Sequence, residues 1–296
     1  MTIACLGITV LDRIQRVDSL PTQGGKFVAK DYFEVGGGPA ATAAVAVAKL
    51  GHNVDFIGRV GQDAIADTML TELAGYGVNV DKAVKIADAS SAFSAVLVDD
   101  EGERMIINYQ DTSLKRDTKP LELIDFSIYK TVLTDVRWVE GAKYALEQAK
   151  QHNIPSVLDA DITPDAIDDL VKLADHVAFS EPGLEKFTGS SDPIEGLKIA
   201  QKQTKGKVYV TVGSKGCYWF ENEELCHQPG VKVDVVDTTG AGDVFHGALA
   251  VAVAEAMPAR ESVIFSNTVA AIKCTKRGGR EGIPTRSEVD SQLHNK

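Results

Sequence analysis

The fold of this chain is decided by the stretch Val233-Asp234-Val235-Val236-Asp237-Thr238-Thr239-Gly240-Ala241-Gly242-Asp243-Val244-Phe245-His246-Gly247. Its first part is an apolar run that predicts a strand, and the small apolar residues at 248–254 that follow it predict a buried helix. The glycines between them predict a tight turn whose backbone can approach a ligand closely. The sequence thus predicts a strand, a glycine turn and a helix N-terminus in immediate succession.

This turn is expected to bind a phosphate group. The backbone N–H groups of Ala241, Gly242 and Asp243 lie at the helix start, where the macrodipole favours negative charge. A carboxylate at the same place would compete with the anion, unless it accepts a proton from a hydroxyl that attacks the phosphorus. Asp243 is therefore the candidate general base. The simpler alternative is that Asp243 only caps the helix.

The chain has 296 residues and a formal net charge of -11 at pH 7. That length suits a single α/β domain spanning 1–296. The negative charge argues against a nucleic-acid or anionic-membrane partner, because both need a basic surface. The four cysteines lack metal-ligand spacing, and no apolar run approaches the ~20 residues that span a bilayer. We therefore expect a cytoplasmic enzyme with reduced thiols.

From residue 36 onwards, helical segments alternate with short apolar ones. This alternation predicts a doubly wound α/β fold, in which helices cover both faces of a parallel sheet. Helices are predicted at 39–50, 64–76, 141–152, 164–173, 192–204, 242–255 and 259–275. Strands are predicted at 54–57, 131–133, 156–159, 176–179 and 208–211.

Residues 12–35 and 91–110 break this alternation and predict β-ribbons. Together the ribbons are expected to form a small sheet that stands off the main sheet as a lid. Apolar side chains on their outer faces, such as Phe27, Val96 and Ile106, would need a cover. A second subunit would provide it, so we expect a homodimer joined through the lids.

A second glycine-rich segment is Gly36-Gly37-Gly38-Pro39, which opens an alanine-rich helix. Glycines followed by proline at a helix start indicate a loop that lies against a ligand. A dinucleotide site would instead place its glycine fingerprint directly after the first strand. The first strand here continues into Gly7-Ile8-Thr9-Val10-Leu11-Asp12, which argues against a dehydrogenase.

The string 237–243 and the segment that begins at Gly36 resemble the two signatures of the ribokinase-like, or PfkB, family of sugar kinases. The resemblance extends over nearly the whole chain and implies ATP and Mg²⁺ as cofactors and a small sugar as the second substrate. It implies that Asp243 is the base and that Gly240, Ala241 and Gly242 surround the transferred phosphoryl group. Further residues match positions that line the sugar pocket in that family, namely Asp12, Gly37 and Gly38.

The resemblance also implies a nucleotide site. Residues of the segment 211–216 match the family's nucleotide loop, and the matching positions are Thr211, Gly213, Lys215 and Gly216, with Gly242 beside them. Asn267 and the loop 276–284 match the region that closes over adenine. In many members that loop also holds a monovalent cation, whose other ligands match Asp237 and Thr239. The family's Asn-x-x-Glu motif is out of register with 180–185, so Glu181 or Glu185 would assist Mg²⁺ through water, or ATP alone would hold it.

Within this family the chain most resembles the bacterial sulfofructose kinases, which implies phosphorylation of the 1-hydroxyl of 6-deoxy-6-sulfofructose. Lys26, Asn108 and Arg137 match the positions that bind the sulfonate there. A sugar phosphate would attract the same three side chains. The alternatives are therefore another ketose or ketose-phosphate kinase, similar to a fructokinase or a phosphofructokinase, and a noncatalytic sugar- or nucleotide-binding regulator. The intact motif around Asp243 argues against the regulator.

Overall fold

The structure, a computed structural model, describes residues 1–114 and 116–294. The strands in these residues are β1 (Thr2–Gly7), β2 (Val10–Arg16), β3 (Asp31–Gly37), β4 (Asn53–Gly61), β5 (Val84–Ile86), β6 (Phe93–Val98), β7 (Arg104–Tyr109), β8 (Thr131–Asp135), β9 (Ser156–Ala160), β10 (His176–Ser180), β11 (Lys207–Thr211), β12 (Cys217–Glu221) and β13 (Glu224–Gln228). The α-helices are α1 (Pro39–Lys49), α2 (Ala64–Gly75), α3 (Val139–Gln151), α4 (Asp168–Leu173), α5 (Glu181–Thr188), α6 (Pro193–Gln201), α7 (Ala241–Ala254), α8 (Ala259–Cys274) and α9 (Arg286–His294).

Within the described residues, the larger sheet has nine strands in the order β13-β12-β11-β10-β9-β8-β1-β4-β5. Neighbouring strands from β11 to β5 run parallel, and β12 and β13 are antiparallel additions at one edge. The chain extends the sheet in one direction from β1 to β5 and in the other from β8 to β13. The strand order therefore reverses between β1 and β8, and ligands bind outside the carboxyl ends of strands at such a point.

Helices cover both faces of this sheet. On one face, the core contains side chains of α1, α2, α7 and α8 together with alternate residues of the central strands. On the other face, α3, α4, α5 and α6 bury the remaining strand residues in two further clusters. The alanine-rich sequence of α1 allows a close approach to α7, where a Cβ atom at Gly247 would lie 2.6 Å from the carbonyl oxygen of Ala43. This contact holds the two glycine-led helices side by side.

The smaller sheet has the order β3-β2-β6-β7 and forms the predicted lid. Its register places Asp12, Ser94 and Asn108 opposite one another on successive strands. Because side chains directly opposite each other share a face of the sheet, Asp12 and Asn108 lie on the same face of the lid. The strands of the lid fall inside or within two residues of the predicted ribbons 12–35 and 91–110.

The doubly wound prediction is confirmed, but four of its details are wrong. Residues 233–236 form no strand: Val235 and Val236 are more than half exposed, and the backbone N–H of Val236 donates to the Cys274 carbonyl instead of to a sheet. The helix predicted at 164–173 begins only at Asp168. Val96 is buried, at 6 % exposure, so its own side chain needs no cover. Ala241 is the fourth case: its N–H, expected to be free, donates to the Thr238 carbonyl at 3.1 Å.

The antiparallel hairpin of β12 and β13 and the helix α5 were absent from the sequence prediction. The helix α5 was not predicted because its eight residues contain a glycine and a proline. The proline is accommodated because it lies in the first turn. Among the residues that the structure describes, no helix is both long enough and apolar enough to cross a bilayer.

Candidate active site

The Asp135 carboxylate lies at the carboxyl end of β8, where the strand order reverses. It is 1 % exposed and accepts hydrogen bonds from three backbone N–H groups: Ile8 at 2.9 Å, Ala40 at 3.2 Å and Arg137 at 2.8 Å. Burial raises the pKa of Asp135 to about 6, and the hydrogen bonds from Ile8, Arg137 and Ala40 oppose that rise. One carboxylate thus fixes the loop after β1, the start of α1 and the residue after β8.

The expected sugar pocket forms beside this carboxylate. Gly38 has a φ of 96°, and a Cβ atom there would lie 2.5 Å from the Ile8 carbonyl oxygen, so only glycine fits. A Cβ atom at Gly37 would lie 2.6 Å from the Asp12 carboxylate. Burial raises the pKa of Asp12, although the Ser94 hydroxyl and the Arg280 charge oppose the shift. The structure therefore brings Asp12, Gly37 and Gly38 together as predicted.

Arg280 is a part of this pocket that the sequence did not reveal. Its side chain is almost completely buried, and it donates to the Gly37 carbonyl at 2.6 Å and to the Glu72 carboxylate at 3.1 Å. Burial lowers the pKa of Arg280, while the charges of Glu72, Asp243 and Asp12 oppose that change. Arg280 thereby joins the C-terminal loop to the first glycine segment and carries positive charge close to both functional carboxylates.

The start of α7 has the geometry of an anion site. Gly240 precedes the helix with φ 73°, a left-handed conformation that favours glycine, and no side chain among the described residues caps the first turn. The first backbone bond of the helix runs from Val244 to the Gly240 carbonyl. The N–H groups of Gly242 and Asp243 precede it and keep the orientation that binds phosphate at helix N-termini.

Asp243 stands in this first turn beside several other carboxylates. Burial, with repulsion from Asp159, Asp161 and Asp135, raises the pKa of Asp243 to about 7, although the charge of His246 opposes the shift. His246 lies one turn further along α7, and its Nδ1 is 2.9 Å from the Asp159 carboxylate in a fully buried pair. Burial lowers the pKa of His246, but Asp159 and Asp243 raise it by a larger amount. Asp243 is thus suited to accept a proton near neutral pH.

The predicted nucleotide loop lies at the end of β11. Gly213 and Gly216 both have positive φ, and the Val212 N–H donates to the Gly216 carbonyl across the turn. A side chain at Gly216 would collide with the Gln228 carbonyl oxygen at the end of β13. Asn267 is buried, and its amide donates to that same carbonyl at 3.3 Å. Asn267 therefore holds the end of β13, against which Gly216 of the loop packs.

The residues expected to bind a monovalent cation surround Asp237. Its carboxylate accepts bonds from the N–H groups of Thr239 at 2.9 Å and Gly278 at 3.2 Å. Its carbonyl oxygen accepts a bond from the ammonium group of Lys273 at 2.9 Å. From the lid, Arg104 donates to the Thr239 hydroxyl at 3.1 Å. Asp237 and Thr239 thus join the phosphate-binding turn to α8, the C-terminal loop and the lid.

The three residues expected to bind a sulfonate lie in different environments. Arg137 follows β8, and its Nη2 donates to the Asp161 carboxylate at 2.9 Å, with both side chains about one third exposed. Asn108 is exposed on β7, on the same face of the lid as Asp12. Lys26 is exposed in the loop between β2 and β3 rather than on a strand. The site thus offers Arg137 at the sheet edge and two exposed polar groups on the lid side.

The carboxylates near 180–185 are poor magnesium ligands. Glu181 and Glu185 are both exposed on α5, and Ser180 caps that helix while donating to Asp161 at 2.7 Å. A side chain at Gly183 would collide with the Ala160 carbonyl oxygen, so an acidic residue three positions after Ser180 does not fit. In the part of the chain that is described, no three acidic, histidine or cysteine side chains form a metal-binding group.

The chain is similar in sequence and fold to known carbohydrate kinases. Residues 1–286 match the model of the pfkB family carbohydrate kinases. The ribokinase of Schizosaccharomyces pombe is 28 % identical over 99 % of this chain and 98 % of its own. A solved candidate ribokinase from Agrobacterium tumefaciens is 34 % identical with a TM-score of 0.91, covering 99 % of this chain and 97 % of that one. An Arabidopsis thaliana ribokinase, solved with ribose and ATP, is 26 % identical with a TM-score of 0.88 and covers 99 % of this chain and 98 % of that one.

Replacing Asp135 by asparagine tests the role of its carboxylate. An amide has one acceptor oxygen, and its NH₂ group would face either Arg137 N–H or the pair formed by Ile8 and Ala40. At pH 8, where the carboxylate is ionised, we expect Asp135→Asn to lower the free energy of unfolding by about 1–3 kcal/mol in urea denaturation. Asp100→Asn, which alters an exposed pair with Lys30, is the control. Equal stabilities of the two variants would contradict this role.

Proposed function

The chain belongs to the pfkB family of carbohydrate kinases and is an ATP-dependent sugar kinase, and we propose that its acceptor is 6-deoxy-6-sulfofructose, phosphorylated at the 1-hydroxyl. The observation that carries this proposal is Arg137. It lies at the carboxyl end of β8, where a ligand binds in this type of sheet, and its main chain is fixed by Asp135. A guanidinium there would favour an anionic sugar, because it supplies positive charge at the site of a protein whose net charge is -11.

The chemistry follows from the residues around α7. Asp243 accepts the proton of the sugar hydroxyl while that oxygen attacks the γ-phosphorus of ATP. The new oxygen–phosphorus bond forms as the bond to the bridging oxygen of ADP breaks. The N–H groups of Gly242 and Asp243, at the positive end of the helix, stabilise the charge that develops on the transferred group. Asp12 and the Gly37–Gly38 backbone hold the sugar in position.

The remaining parts of the proposal concern the nucleotide, magnesium and cell compartment. The loop that contains Thr211, Gly213, Lys215 and Gly216 is proposed to hold ATP, with Asn267 supporting it. Mg²⁺, which neutralises phosphate charge, is proposed to arrive on ATP with much of its hydration, because the carboxylates of α5 point to solvent. We also propose that the whole chain acts as one kinase unit in the cytoplasm, since its cysteines are free thiols.

A neutral sugar is the second candidate acceptor. The relatives include ribokinases and a probable chloroplastic fructokinase of Arabidopsis thaliana that is 28 % identical over 94 % of this chain and 80 % of its own. Arg137 would then serve only its ion pair with Asp161. A ketose phosphate is also compatible with the same cation. Rates of ADP release with ribose, fructose, fructose 6-phosphate and sulfofructose separate these possibilities.

Replacing Asp243 by asparagine tests the base. We expect turnover to fall by about 100- to 10,000-fold, because the amide keeps the shape but accepts no proton. ATP binding measured by titration should stay nearly unchanged, and Asp234→Asn, an exposed carboxylate in the same loop, should behave like the wild type. A variant with more than about a tenth of wild-type activity would contradict the assignment.

The raised pKa of Asp243 predicts the pH dependence of the wild type. The base works only when ionised, and its pKa in the free protein is about 7. The value of kcat/KM should therefore fall as the pH drops through this region and stay level above it, because kcat/KM follows groups of the free enzyme. An acid limb near the ordinary aspartate range would show that burial and the neighbouring carboxylates do not raise the pKa of the base.

The Arg137 hypothesis is tested by comparing two substrates. Arg137→Ala should cost about 2–5 kcal/mol in kcat/KM for sulfofructose, since it removes one partner of a charge-assisted pair. Fructose carries no anion, so its already poor use should hardly change. Arg116→Ala, an exposed arginine that also faces two carboxylates, is the matched control. Equal losses with both sugars would mean that Arg137 is structural, and faster use of fructose 6-phosphate than of sulfofructose would favour the ketose-phosphate alternative.

The homodimer remains part of the proposal. Phe27, Ile106 and Ile107 are each more than half exposed on the lid, and β7 forms an edge of the small sheet. Exposed apolar groups beside an unpaired strand edge favour association with a second copy. Light scattering at micromolar concentration should give twice the chain mass, and Ile107→Lys should halve it. A monomeric wild type would contradict the proposal.

A further inference from the structure

The buried Lys273 lies where a monovalent cation would be needed. This residue is in the last turn of α8 and is 0 % exposed. Its ammonium group donates to the Asp237 carbonyl at 2.9 Å and lies 4.0 Å from the Asp237 carboxylate. A buried ammonium is costly unless it is paired and hydrogen-bonded, so this position requires the oxygens of Asp237.

A second lysine bonds to the C-terminal loop that follows α8. The carbonyl oxygens of Arg280, Glu281 and Ile283 in the C-terminal loop accept bonds from the Lys49 ammonium at 3.2, 3.0 and 3.0 Å. The Asp237 carboxylate is already used by the N–H groups of Thr239 and Gly278. The Lys273 ammonium therefore already lies beside the Asp237 oxygens that a free cation would bind.

An ammonium group can do what a monovalent ion does at such a place. It carries one positive charge, has nearly the size of a potassium ion and donates to as many as three oxygens. Asp237 is two residues before Thr239, which leads directly into Gly240 and the start of α7. A cation at Asp237 therefore holds the turn whose N–H groups bind the phosphoryl group. Arg104 adds a second positive charge at 3.9 Å from the same carboxylate.

We propose that the Lys273 ammonium group replaces the monovalent cation and makes the enzyme independent of potassium. The wild type should have the same kcat, KM for ATP and melting temperature in KCl and in choline chloride at equal ionic strength. Only the kinetic part of this test rests on the proposed kinase function. The melting temperature needs no substrate, and any accepted sugar serves for the kinetics, so a wrong acceptor would leave this test intact.

Variants of Lys273 provide the decisive comparison. Lys273→Ala leaves room for one ion, so in choline chloride its kcat should fall by more than about tenfold, because Asp237 loses its buried partner. KCl or NH₄Cl should restore part of that kcat and raise the melting temperature, since a ligand that binds the folded state stabilises it. Lys273→Met fills the same space without charge and should respond to neither salt. Lys85→Ala, which removes an exposed lysine that pairs with Asp67, is the control and should resemble the wild type.

Each result supports or overturns the proposal. Clear activation or thermal stabilisation of the wild type by KCl would overturn it. A folded Lys273→Ala protein that keeps wild-type activity in choline chloride, or that ignores both KCl and NH₄Cl, would overturn it as well. If the alanine variant fails to fold, the wild-type comparison in the two salts decides the question alone.

Discussion

The site depends on three hydrogen bonds to one buried carboxylate. Asp135 lies where the strand order reverses, and it accepts the N–H groups of Ile8, Ala40 and Arg137. A side chain at Gly7 would overlap this carboxylate, which explains the glycine at the end of β1. The sugar loop, the start of α1 and the cationic residue after β8 therefore take their positions from one group. The Asp135 carboxylate thus sets the backbone geometry of the pocket without any ligand being bound.

The charges around this pocket are balanced locally within an acidic protein. Asp135, Asp159, Asp161 and Asp243 converge at the carboxyl edge of the sheet, and burial together with their mutual repulsion raises the pKa of Asp243, the proposed base. Three cations limit that repulsion: Arg137 is paired with Asp161, His246 with Asp159, and Arg280 interacts with both Asp12 and Asp243. Because the cations balance this repulsion only in part, the pKa of Asp243 stays raised. Its carboxylate is ionised near neutral pH and is basic enough to accept a proton from a hydroxyl.

The sequence predicted the parts of the fold that depend on local periodicity. The helices and parallel strands from residue 36 onwards, the lid, and the position of Asp243 all follow from patterns of a few neighbouring residues. The errors arise where distant contacts decide. Residues 233–236 have strand-like composition, but the N–H of Val236 meets the Cys274 carbonyl on α8 instead of a neighbouring strand. The role of Asp135 was missed because two of its partners, Ile8 and Ala40, lie 127 and 95 residues away along the chain. The role of Arg280 was missed because its partners lie 208 and 243 residues away.

One strand of the lid, β7, extends from the proposed sugar pocket to the turn that precedes α7. Asn108 and Arg104 are four residues apart on β7, so they lie on one face at a spacing of about 13 Å. Asn108 shares its row with Asp12 at the sugar pocket, whereas Arg104 contacts Thr239 beside the phosphate-binding turn. A strand that reaches both places cannot move away from the sugar without releasing Thr239. If the lid binds the sugar as proposed, that binding is coupled to the order of the turn before α7, as a kinase requires if water is to be kept from the phosphoryl group until the acceptor is bound.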